Sequence, residues 1–191
     1  MKLKSSRIDI LPLNLEELKV FVKSRADFEK QKGLTITGVR LPEAYCEEIT
    51  EMVSRIPLNW STKNNDYLFY TLWVMVERGL NRIIGLFTFN GKPNNNSEVE
   101  VFFSIEETYR QHGYATEVMV EILNWGTKSK LFNYVLIEAD FRNKAAMASL
   151  KKLGFQRVIS DVDEDENEAQ STKFYKKVGE SKGNDDLDFD T

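Results

Sequence analysis

The sequence has little of several residue types on which common classes of protein depend. Among its 191 residues there are one cysteine, Cys46, one histidine, His112, and four prolines. A single cysteine excludes an internal disulfide, and no group of His, Cys, Asp and Glu has the spacing of a metal site. There is no Gly-x-Ser-x-Gly motif, and no histidine is placed to activate Cys46. We therefore expect neither a metal nor a covalent intermediate on a serine or cysteine.

The sequence also has no long apolar run. No basic segment precedes an apolar stretch long enough for a signal peptide or a membrane span, so we expect a soluble cytoplasmic protein without a membrane partner. A chain with 41% hydrophobic residues can form one substantial core. We expect a single domain over residues 1–178. Residues 179–191 are too polar and acidic to offset the entropy of ordering, so we expect a disordered tail.

The net charge of −4 conceals an uneven distribution. Residues 160–170 carry six acids, and residues 180–191 carry five acids and one lysine. Without these two segments the net charge changes from −4 to +6. A basic body suits an anionic ligand, but its charge is not concentrated enough to predict nucleic-acid binding. The acidic segment 160–170 is most simply a solvated hairpin loop, and the alternative is that it attracts a cationic substrate.

The apolar pattern predicts a mixed α/β domain, neither a Rossmann series nor an all-β sandwich. The predicted strands are Arg7–Leu13 at a sheet edge, Leu68–Glu77, Arg82–Asn90, Val99–Ile105, Val135–Ile137 and Phe155–Ile159, with one more near the end of the domain. The predicted helices follow Asn14, cover about 26–32 and 43–55, open at about Ala115, and follow Asn143 up to Gly154. The helical block before the second strand contains no readable motif.

The segment Arg110-Gln-His-Gly-Tyr-Ala115 is the most informative in the chain. It joins a strand, in which every second residue from Val99 to Ile105 is apolar, to a helix with one apolar face. The first N–H groups of a helix have no intrahelical partner and attract anions. Gly113 lets a ligand approach the backbone, and Arg110 adds positive charge. The turn is either a phosphate site or an ordinary strand-to-helix connection.

A second segment, Glu138-Ala-Asp-Phe-Arg-Asn143 and the helix up to Gly154-Phe155, favours the phosphate site. In this order and spacing the two segments resemble the GNAT superfamily of N-acetyltransferases, and within it the branch of the ribosomal-protein N-terminal acetyltransferases. The resemblance covers about residues 6–178. It includes a central-strand motif at Val99-Glu-Val-Phe-Phe103, a helix opening at Tyr114-Ala-Thr-Glu117 and a helix end at Lys152-Leu-Gly-Phe155.

The resemblance implies a mostly antiparallel central sheet of about six to seven strands, flanked by helices, with a splayed central strand. It also implies an acetyl-CoA-dependent N-acetyltransferase. The acetyl group would pass directly from the CoA thioester to a primary amine of a protein N-terminus, an amino acid, a polyamine or a small molecule. The alternative is a catalytically weak acyl-CoA-binding sensor or interaction module of the same fold. Either would be a monomer or a homodimer.

The resemblance further implies which residues would bind acetyl-CoA. Backbone groups of the central strand would bind the pantetheine arm and the thioester oxygen, and the turn would bind the pyrophosphate. The strand residues are Phe102, Phe103 and Ile105, and the others are Arg110, Gln111, His112, Gly113, Tyr114, Ala115, Thr116 and Asn143. The His112 side chain is expected to point outward, with only its N–H used.

The catalytic groups are harder to assign. Glu100 lies where the resembling branch has a glutamate that could accept a proton, and the alternative is an ion pair with a lysine on a neighbouring strand. Many members have a tyrosine or a serine where this chain has Leu150 and Ala146. Protonation of the leaving thiolate would then fall to water, Asn143 or Ser149. Trp60, beside Asn59, would line the acceptor pocket or act as a packing lid.

Overall fold

The computed structural model describes residues 1–39, 43–54, 65–158 and 171–179. The strands are β1 (Leu3–Lys4), β2 (Ile8–Pro12), β3 (Leu72–Glu77), β4 (Arg82–Phe89), β5 (Glu98–Ile105), β6 (Tyr134–Asp140), β7 (Gln156–Arg157) and β8 (Ser171–Lys177). The helices are α1 (Leu15–Lys23), α2 (Arg25–Gln31), α3 (Glu43–Ser54), α4 (Tyr114–Ser129) and α5 (Lys144–Leu153), with 3₁₀ helices at Asn65–Phe69 and Glu107–Tyr109. The predictions for Asn59, Trp60 and the acidic segments 160–170 and 180–191 lie outside these residues.

The strands form one sheet in the order β1-β2-β3-β4-β5-β6-β8-β7. Only β5 and β6 are parallel, and every other neighbouring pair in this sheet is antiparallel. The predicted mixed α/β fold with a mostly antiparallel sheet is confirmed. The described sheet has eight strands, however, because the two-residue strand β1 pairs with β2 through Leu3 and Ile10. Arg7–Leu13 was therefore wrongly placed at the edge, which β1 occupies.

Alternation along the strands produces two apolar layers, one on each face of the sheet. The larger layer packs β-strand residues such as Trp73 and Phe87 against α4 residues such as Met119 and Ile122. The smaller layer, which includes Leu18 and Phe21, packs the other face against α1, α2 and α3. These two sides are called the α4–α5 face and the α1–α3 face. None of the helices in the described ranges is long and apolar enough to cross a membrane.

Local signals fixed several of the observed boundaries. Asn14 forms a capping box with Glu17 at the start of α1, and Gly154 ends α5 in the left-handed conformation, as predicted. The strand predicted from Leu68 begins instead at Leu72, after the 3₁₀ helix. There the Trp73 indole N–H donates to the Leu68 carbonyl at 2.9 Å. The apolar pattern thus extends through a 3₁₀ helix that a buried local hydrogen bond joins to the first turn of the strand.

Candidate functional site

β5 and β6 separate halfway along their length. Their pairing covers only the positions from Glu98↔Tyr134 to Glu100↔Leu136. Beyond this point β5 continues to pair with β4, and β6 continues to pair with β8 up to Asp140. The two parallel strands therefore diverge and leave an opening in the middle of the sheet. This is the splayed central strand that the resemblance implied.

The β4–β5 register determines which backbone groups of β5 face the opening. The Asn90 N–H donates to the Glu100 carbonyl, and the Glu106 N–H donates to the Ile84 carbonyl, each at 2.9 Å. Residues bonded to an antiparallel neighbour alternate with residues that point away from it. Beyond the last β5–β6 pair, positions 103 and 105 therefore turn their backbone groups towards the opening, where the Ile105 carbonyl is bonded by Arg110. The backbone of Phe102 faces β4, whereas the backbones of Phe103 and Ile105 face the opening. The binding of a ligand by Phe103 and Ile105 remains a prediction.

A cleft of about 1250 Å³ runs through this opening. Its lining on the α4–α5 face includes Arg110, Gln111, Gly113, Tyr114, Ala115, Thr116, Asn143, Ala146, Ser149 and Leu150. Its lining on the α1–α3 face includes Ile49, Thr88, Phe102 and Glu138. Phe103, Ser104 and Ile105 line the passage between the two. The structure thus brings most of the predicted binding residues into one cleft that has lining residues on both faces of the sheet.

The turn before α4 presents unpaired N–H groups to this cleft. α4 begins at Tyr114 after Gly113, which has a φ of 78° and provides no side-chain cap. The first intrahelical bond runs from the Glu117 N–H to the Gly113 carbonyl at 3.0 Å. Within the described part of the chain, the N–H groups of Tyr114, Ala115 and Thr116 have no acceptor. This arrangement suits a phosphate, which would accept hydrogen bonds from the helix N-terminus.

The two basic side chains of the turn, Arg110 and His112, differ in whether they line the cleft. Arg110 folds back and donates from Nε to the Ile105 carbonyl at 3.0 Å, so it covers the end of β5 while it lines the cleft. The His112 side chain is exposed, and its Nδ1 lies 2.7 Å from the Arg110 carbonyl. His112 is not among the residues that line the cleft. The side chain thus lies outside the cleft lining, and the use of its backbone N–H by a ligand remains a prediction.

Arg7 and Glu117 hold the turn from behind, and sequence reasoning missed both contacts. The Glu117 carboxylate accepts from the backbone N–H and the Nε of Arg7, both at 2.8 Å, and from the hydroxyls of Ser5 and Ser6 at 2.5 and 2.9 Å. The Arg7 guanidinium also donates to the His112 carbonyl at 3.0 Å and lies 4.3 Å from the Tyr114 ring centroid. The segment between β1 and β2 is thereby fixed to the first turn of α4.

These contacts change the ionisation of Glu117. Burial alone would raise the pKa of the Glu117 carboxyl. The donors from Ser5, the Arg7 backbone, the Arg7 side chain and Ser6 outweigh burial and lower this pKa from 4.5 to about 2. A glutamate in the first turn of a helix interacts favourably with the helix dipole, which the sequence alone indicates. The groups that bind Glu117, however, lie about 110 positions away in the chain. No local pattern could have identified them.

Glu100 pairs with Lys173 of β8, so the interpretation of Glu100 as part of an ion pair with a lysine is supported, although β6 lies between the two strands. Its carboxylate lies 2.8 Å from Lys173 Nζ and accepts from Asn90 Nδ2 at 2.9 Å. Burial acts to raise the pKa of Glu100, but the hydrogen bonds from Lys173 and Asn90 outweigh it and bring the pKa below its ordinary value. Glu100 is not among the residues lining the cleft. These contacts favour a structural ion pair over a proton-accepting role.

The α5 end of the cleft lacks the hydroxyls that the resembling family would place there. Ala146 and the buried Leu150 both line the cleft. Because their side chains are hydrocarbons, neither can donate a proton. The Asn143 side-chain oxygen accepts from the Ala146 N–H at 3.1 Å and caps α5. Ser149 is half-buried and also lines the cleft. Asn143 and Ser149, which were predicted as possible catalytic groups, are therefore the polar side chains that α5 and its N-cap place at the α5 end of the cleft.

The structure shows no second candidate centre in the parts of the chain that it describes. Over those ranges no group of three or more His, Cys, Asp or Glu side chains could hold a metal ion. Cys46 is a free thiol on α3 and belongs to a separate shallow depression with Glu47, Thr50, Glu51 and Ser54. The cleft through the sheet is therefore the candidate site.

Comparisons with known proteins agree with this geometry. A family model described as the acetyltransferase (GNAT) domain matches residues 7–156. Among curated proteins, the uncharacterized N-acetyltransferase YjdG of Bacillus subtilis (strain 168) is 27% identical over 93 residues, which are 49% of this chain and 55% of that protein. The match thus spans about half of that relative's length.

Solved structures show the same fold. The ribosomal-protein-S5-alanine acetyltransferase from Vibrio fischeri has a TM-score of 0.61 and 13% identity, over 96% of this chain and 100% of that one. The ribosomal alpha-N-protein acetyltransferase RimL in complex with coenzyme A has a TM-score of 0.61 and 10% identity, over 93% of this chain and 98% of that one. At such identities these structures are evidence for the fold alone.

Proposed function

Because the chain belongs to the acetyltransferase (GNAT) family, we propose that it transfers an acetyl group directly from acetyl-CoA to a primary amine. The prediction of an acyltransferase is confirmed at the level of the family. The acceptor would be a protein N-terminus, an amino acid, a polyamine or an amine-bearing small molecule. The observation that supports the proposal is the cleft through the sheet, which has the uncapped end of α4 on one side and lining residues of the α1–α3 face on the other.

The residues present fit acetyl-CoA as a co-substrate. The free N–H groups of residues 114–116 suit its pyrophosphate, and Arg110 adds a positive charge at the same end. The backbone groups of Phe103 and Ile105 that face the opening suit the amides of the pantetheine arm. When bound, acetyl-CoA supplies a thioester whose carbonyl carbon can react with an amine. The cleft would therefore hold the donor from the α4–α5 face.

The acceptor would bind on the α1–α3 face, where Thr88, Phe102 and Glu138 line the cleft. Holding the amine and the thioester in line converts a bimolecular reaction into a unimolecular one, which is a large part of the rate enhancement available without a covalent intermediate. The amine must be neutral to react, and the leaving sulfur must gain a proton. Ser149 and the amide of Asn143 are the proposed groups near the sulfur, in the absence of a hydroxyl at positions 146 and 150.

The experiment combines ligand binding with turnover. At 100 times its Kd, acetyl-CoA should stabilise the protein by about 2.7 kcal/mol, which corresponds to roughly 5–10 °C in Tm for a chain of this size. S-acetylpantetheine lacks the pyrophosphate and should give a smaller shift at the same concentration. Thiol release is then measured with peptides beginning with serine or alanine, an amino acid, spermidine and benzylamine.

The outcomes separate the two functional hypotheses. Thiol release that depends on one class of amine supports the proposed transferase. Stabilisation by acetyl-CoA without thiol release in the presence of any of the amines would instead support the acyl-CoA-binding module. The absence of any stabilisation would contradict both, because a ligand that binds the native state must stabilise it.

A further inference from the structure

The carbonyl group of His112 points away from the cleft, towards the segment between β1 and β2. It accepts a hydrogen bond from Arg7 Nη2 at 3.0 Å. This carbonyl shares a planar trans peptide with the N–H of Gly113, so the two groups point in opposite directions. Of these three residues only Gly113 lines the cleft. The Gly113 N–H therefore faces the cleft, on the side opposite Arg7.

The Gly113 N–H extends the row of donors at the start of α4. Like the N–H groups of residues 114–116, it has no acceptor within the described part of the chain. Successive N–H groups that converge on one space form an anion site. In the same ranges the His112 carbonyl accepts from no backbone N–H. The direction of the Gly113 N–H therefore depends on the bond that Arg7 makes to this carbonyl.

The backbone on both sides of this peptide is in the left-handed region. Gln111 has a φ of 64° and Gly113 has a φ of 78°. For Gln111, which carries a side chain, this region costs conformational energy, and a residue stays there only when its surroundings hold it. The bond from Arg7 is a contact that can do so, because it reaches the turn from 105 positions away in the chain.

Arg7 is itself fixed in place. Its backbone N–H and its Nε each donate to the Glu117 carboxylate at 2.8 Å, and its Nη2 lies 2.7 Å from the same carboxylate. The guanidinium carbon lies 4.3 Å from the Tyr114 ring centroid, which is within the range of a cation–π interaction. The fork of a guanidinium can reach the carboxylate and the His112 carbonyl together, whereas a side chain with one nitrogen cannot reproduce this geometry.

From this geometry we infer that Arg7 is a positioning residue for the pyrophosphate of acetyl-CoA, which acts through the His112 carbonyl and directs the Gly113 N–H into the cleft. The inference rests on the proposed function, because it needs this ligand at the turn. Glu117 compensates the charge of Arg7, so the contribution of Arg7 is the direction of an N–H group and not the attraction of a distant charge. The segment between β1 and β2 is thereby part of the donor site.

The test compares two ligands that differ in the pyrophosphate. Arg7→Met removes the guanidinium and keeps an unbranched side chain. It should weaken the binding of acetyl-CoA about tenfold by calorimetry, because one hydrogen bond to a charged phosphate is misdirected. The binding of S-acetylpantetheine should stay within about twofold. The loss for acetyl-CoA should persist in about 0.5 M NaCl, where the Debye length is only about 4 Å.

A second measurement follows the Gly113 amide directly. In ¹H–¹⁵N spectra of protein labelled with ¹⁵N-glycine, saturating acetyl-CoA should shift the Gly113 amide proton of the unaltered protein downfield, as a hydrogen bond to phosphate does. In Arg7→Met the shift should be less than about half as large. A general loss of structure would instead change the spectrum before any ligand is added.

Arg78→Met is the matched control. Arg78 holds the same segment by donating to the Ser5 carbonyl at 3.0 Å and to the Ser6 carbonyl, and it pairs with Asp9 at 3.1 Å. Its side chain is 38% exposed, against 42% for Arg7, and in the described ranges it makes no hydrogen bond or ion pair with the turn. The variant removes the same charge and similar bonds, so it should keep the affinity for both ligands within about twofold.

Arg7→Lys separates charge from direction. It keeps a partner for Glu117, which favours folding, but it should still bind acetyl-CoA about fivefold more weakly than the unaltered protein. Urea unfolding checks that each variant is folded at the temperature of the titration.

Four outcomes would overturn the inference. They are acetyl-CoA affinity of Arg7→Met within about twofold of the unaltered protein, equal weakening for both ligands, a loss that disappears in high salt, and full recovery in Arg7→Lys. Absence of turnover with every amine would contradict the transferase alone, because the readout here is donor binding. Failure of the unaltered protein to bind acetyl-CoA would contradict the proposed function and this inference together.

Discussion

Replacing Glu117 by glutamine should destabilise the protein by about 2–3 kcal/mol at pH 7. The carboxylate accepts hydrogen bonds from the Arg7 backbone, the Arg7 side chain and two serine hydroxyls. These donors lower its pKa from 4.5 to about 2. Each pH unit corresponds to about 1.4 kcal/mol, so the difference amounts to about 3 kcal/mol. The side chain is only 15% exposed, and solvent screening therefore reduces this value modestly.

The loss should depend on pH in a defined direction. A carboxyl group with a lowered pKa in the folded state stabilises the protein fully above its ordinary value of 4.5. That contribution declines as the pH falls from about 4.5 to about 2, because the folded state must then take up a proton that the unfolded state already carries. The stability difference between the unaltered protein and Glu117→Gln should therefore be constant from pH 6 to 8 and much smaller near pH 2.5.

Urea unfolding monitored by tryptophan fluorescence measures this difference. Glu121→Gln is the matched control, because Glu121 lies one turn further along α4 and makes no hydrogen bond or ion pair with any described residue. The control should change the free energy of unfolding by less than about 0.5 kcal/mol. The reasoning is refuted if Glu117→Gln loses less than about 0.5 kcal/mol at pH 7, or if its loss is the same at pH 2.5 and pH 7.

Three further substitutions test the site and its frame. Gly113→Ala should weaken acetyl-CoA binding about tenfold by calorimetry, because a side chain is strained at a φ of 78° and relief of this strain would move the free N–H groups of the turn. Gly85→Ala should lower the free energy of unfolding by at least about 1–3 kcal/mol in urea, because the new Cβ would lie 2.5 Å from the Ser104 carbonyl oxygen; an unchanged midpoint would contradict this close packing. Glu100→Gln should cost about 1 kcal/mol or less, as expected for a partly exposed pair with Lys173, and turnover should stay near that of the unaltered protein; a loss of turnover of about 100-fold would restore the catalytic interpretation.

The sequence predicted best what local patterns encode. Alternation from Val99 to Ile105 predicted the buried face of β5, and Asn143 and Gly154 predicted both ends of α5. The turn before α4 was recognisable because strand periodicity gives way to helix periodicity around Gly113. These features depend on residues within a few positions of each other, so a single sequence contains them.

The sequence could not indicate which distant groups would meet. Arg7 and Glu117 come together only through the placement of β1 and β2 beside α4. The direction of the Phe102 backbone follows from the β4–β5 register, which alternation within β5 alone does not determine. Glu138 was read as part of a family motif, and its place across the opening from Phe102 requires the β5–β6 register as well. Non-local pairing therefore determines which side chains meet across the opening.

Contacts on both sides of the turn hold the end of β5 and the start of α4 in place. The buried Arg25 of α2 bonds to Glu29, approaches the Glu106 carboxylate at 2.6 Å, and donates to the Ile83 carbonyl. The Glu106 N–H in turn donates to the Ile84 carbonyl, which fixes the end of β5 against β4.

On the far side of the turn, Glu117 fixes the first turn of α4 to the segment between β1 and β2. Between these two anchors, Arg110 closes the end of β5 by its bond to the Ile105 carbonyl. A site whose donors are already in place loses little conformational entropy when a ligand binds. A substitution that breaks the Arg25 anchor, such as Arg25→Met, should therefore weaken acetyl-CoA binding although Arg25 does not line the cleft. Equal affinity in a folded Arg25→Met protein would show that the turn holds its shape without α2.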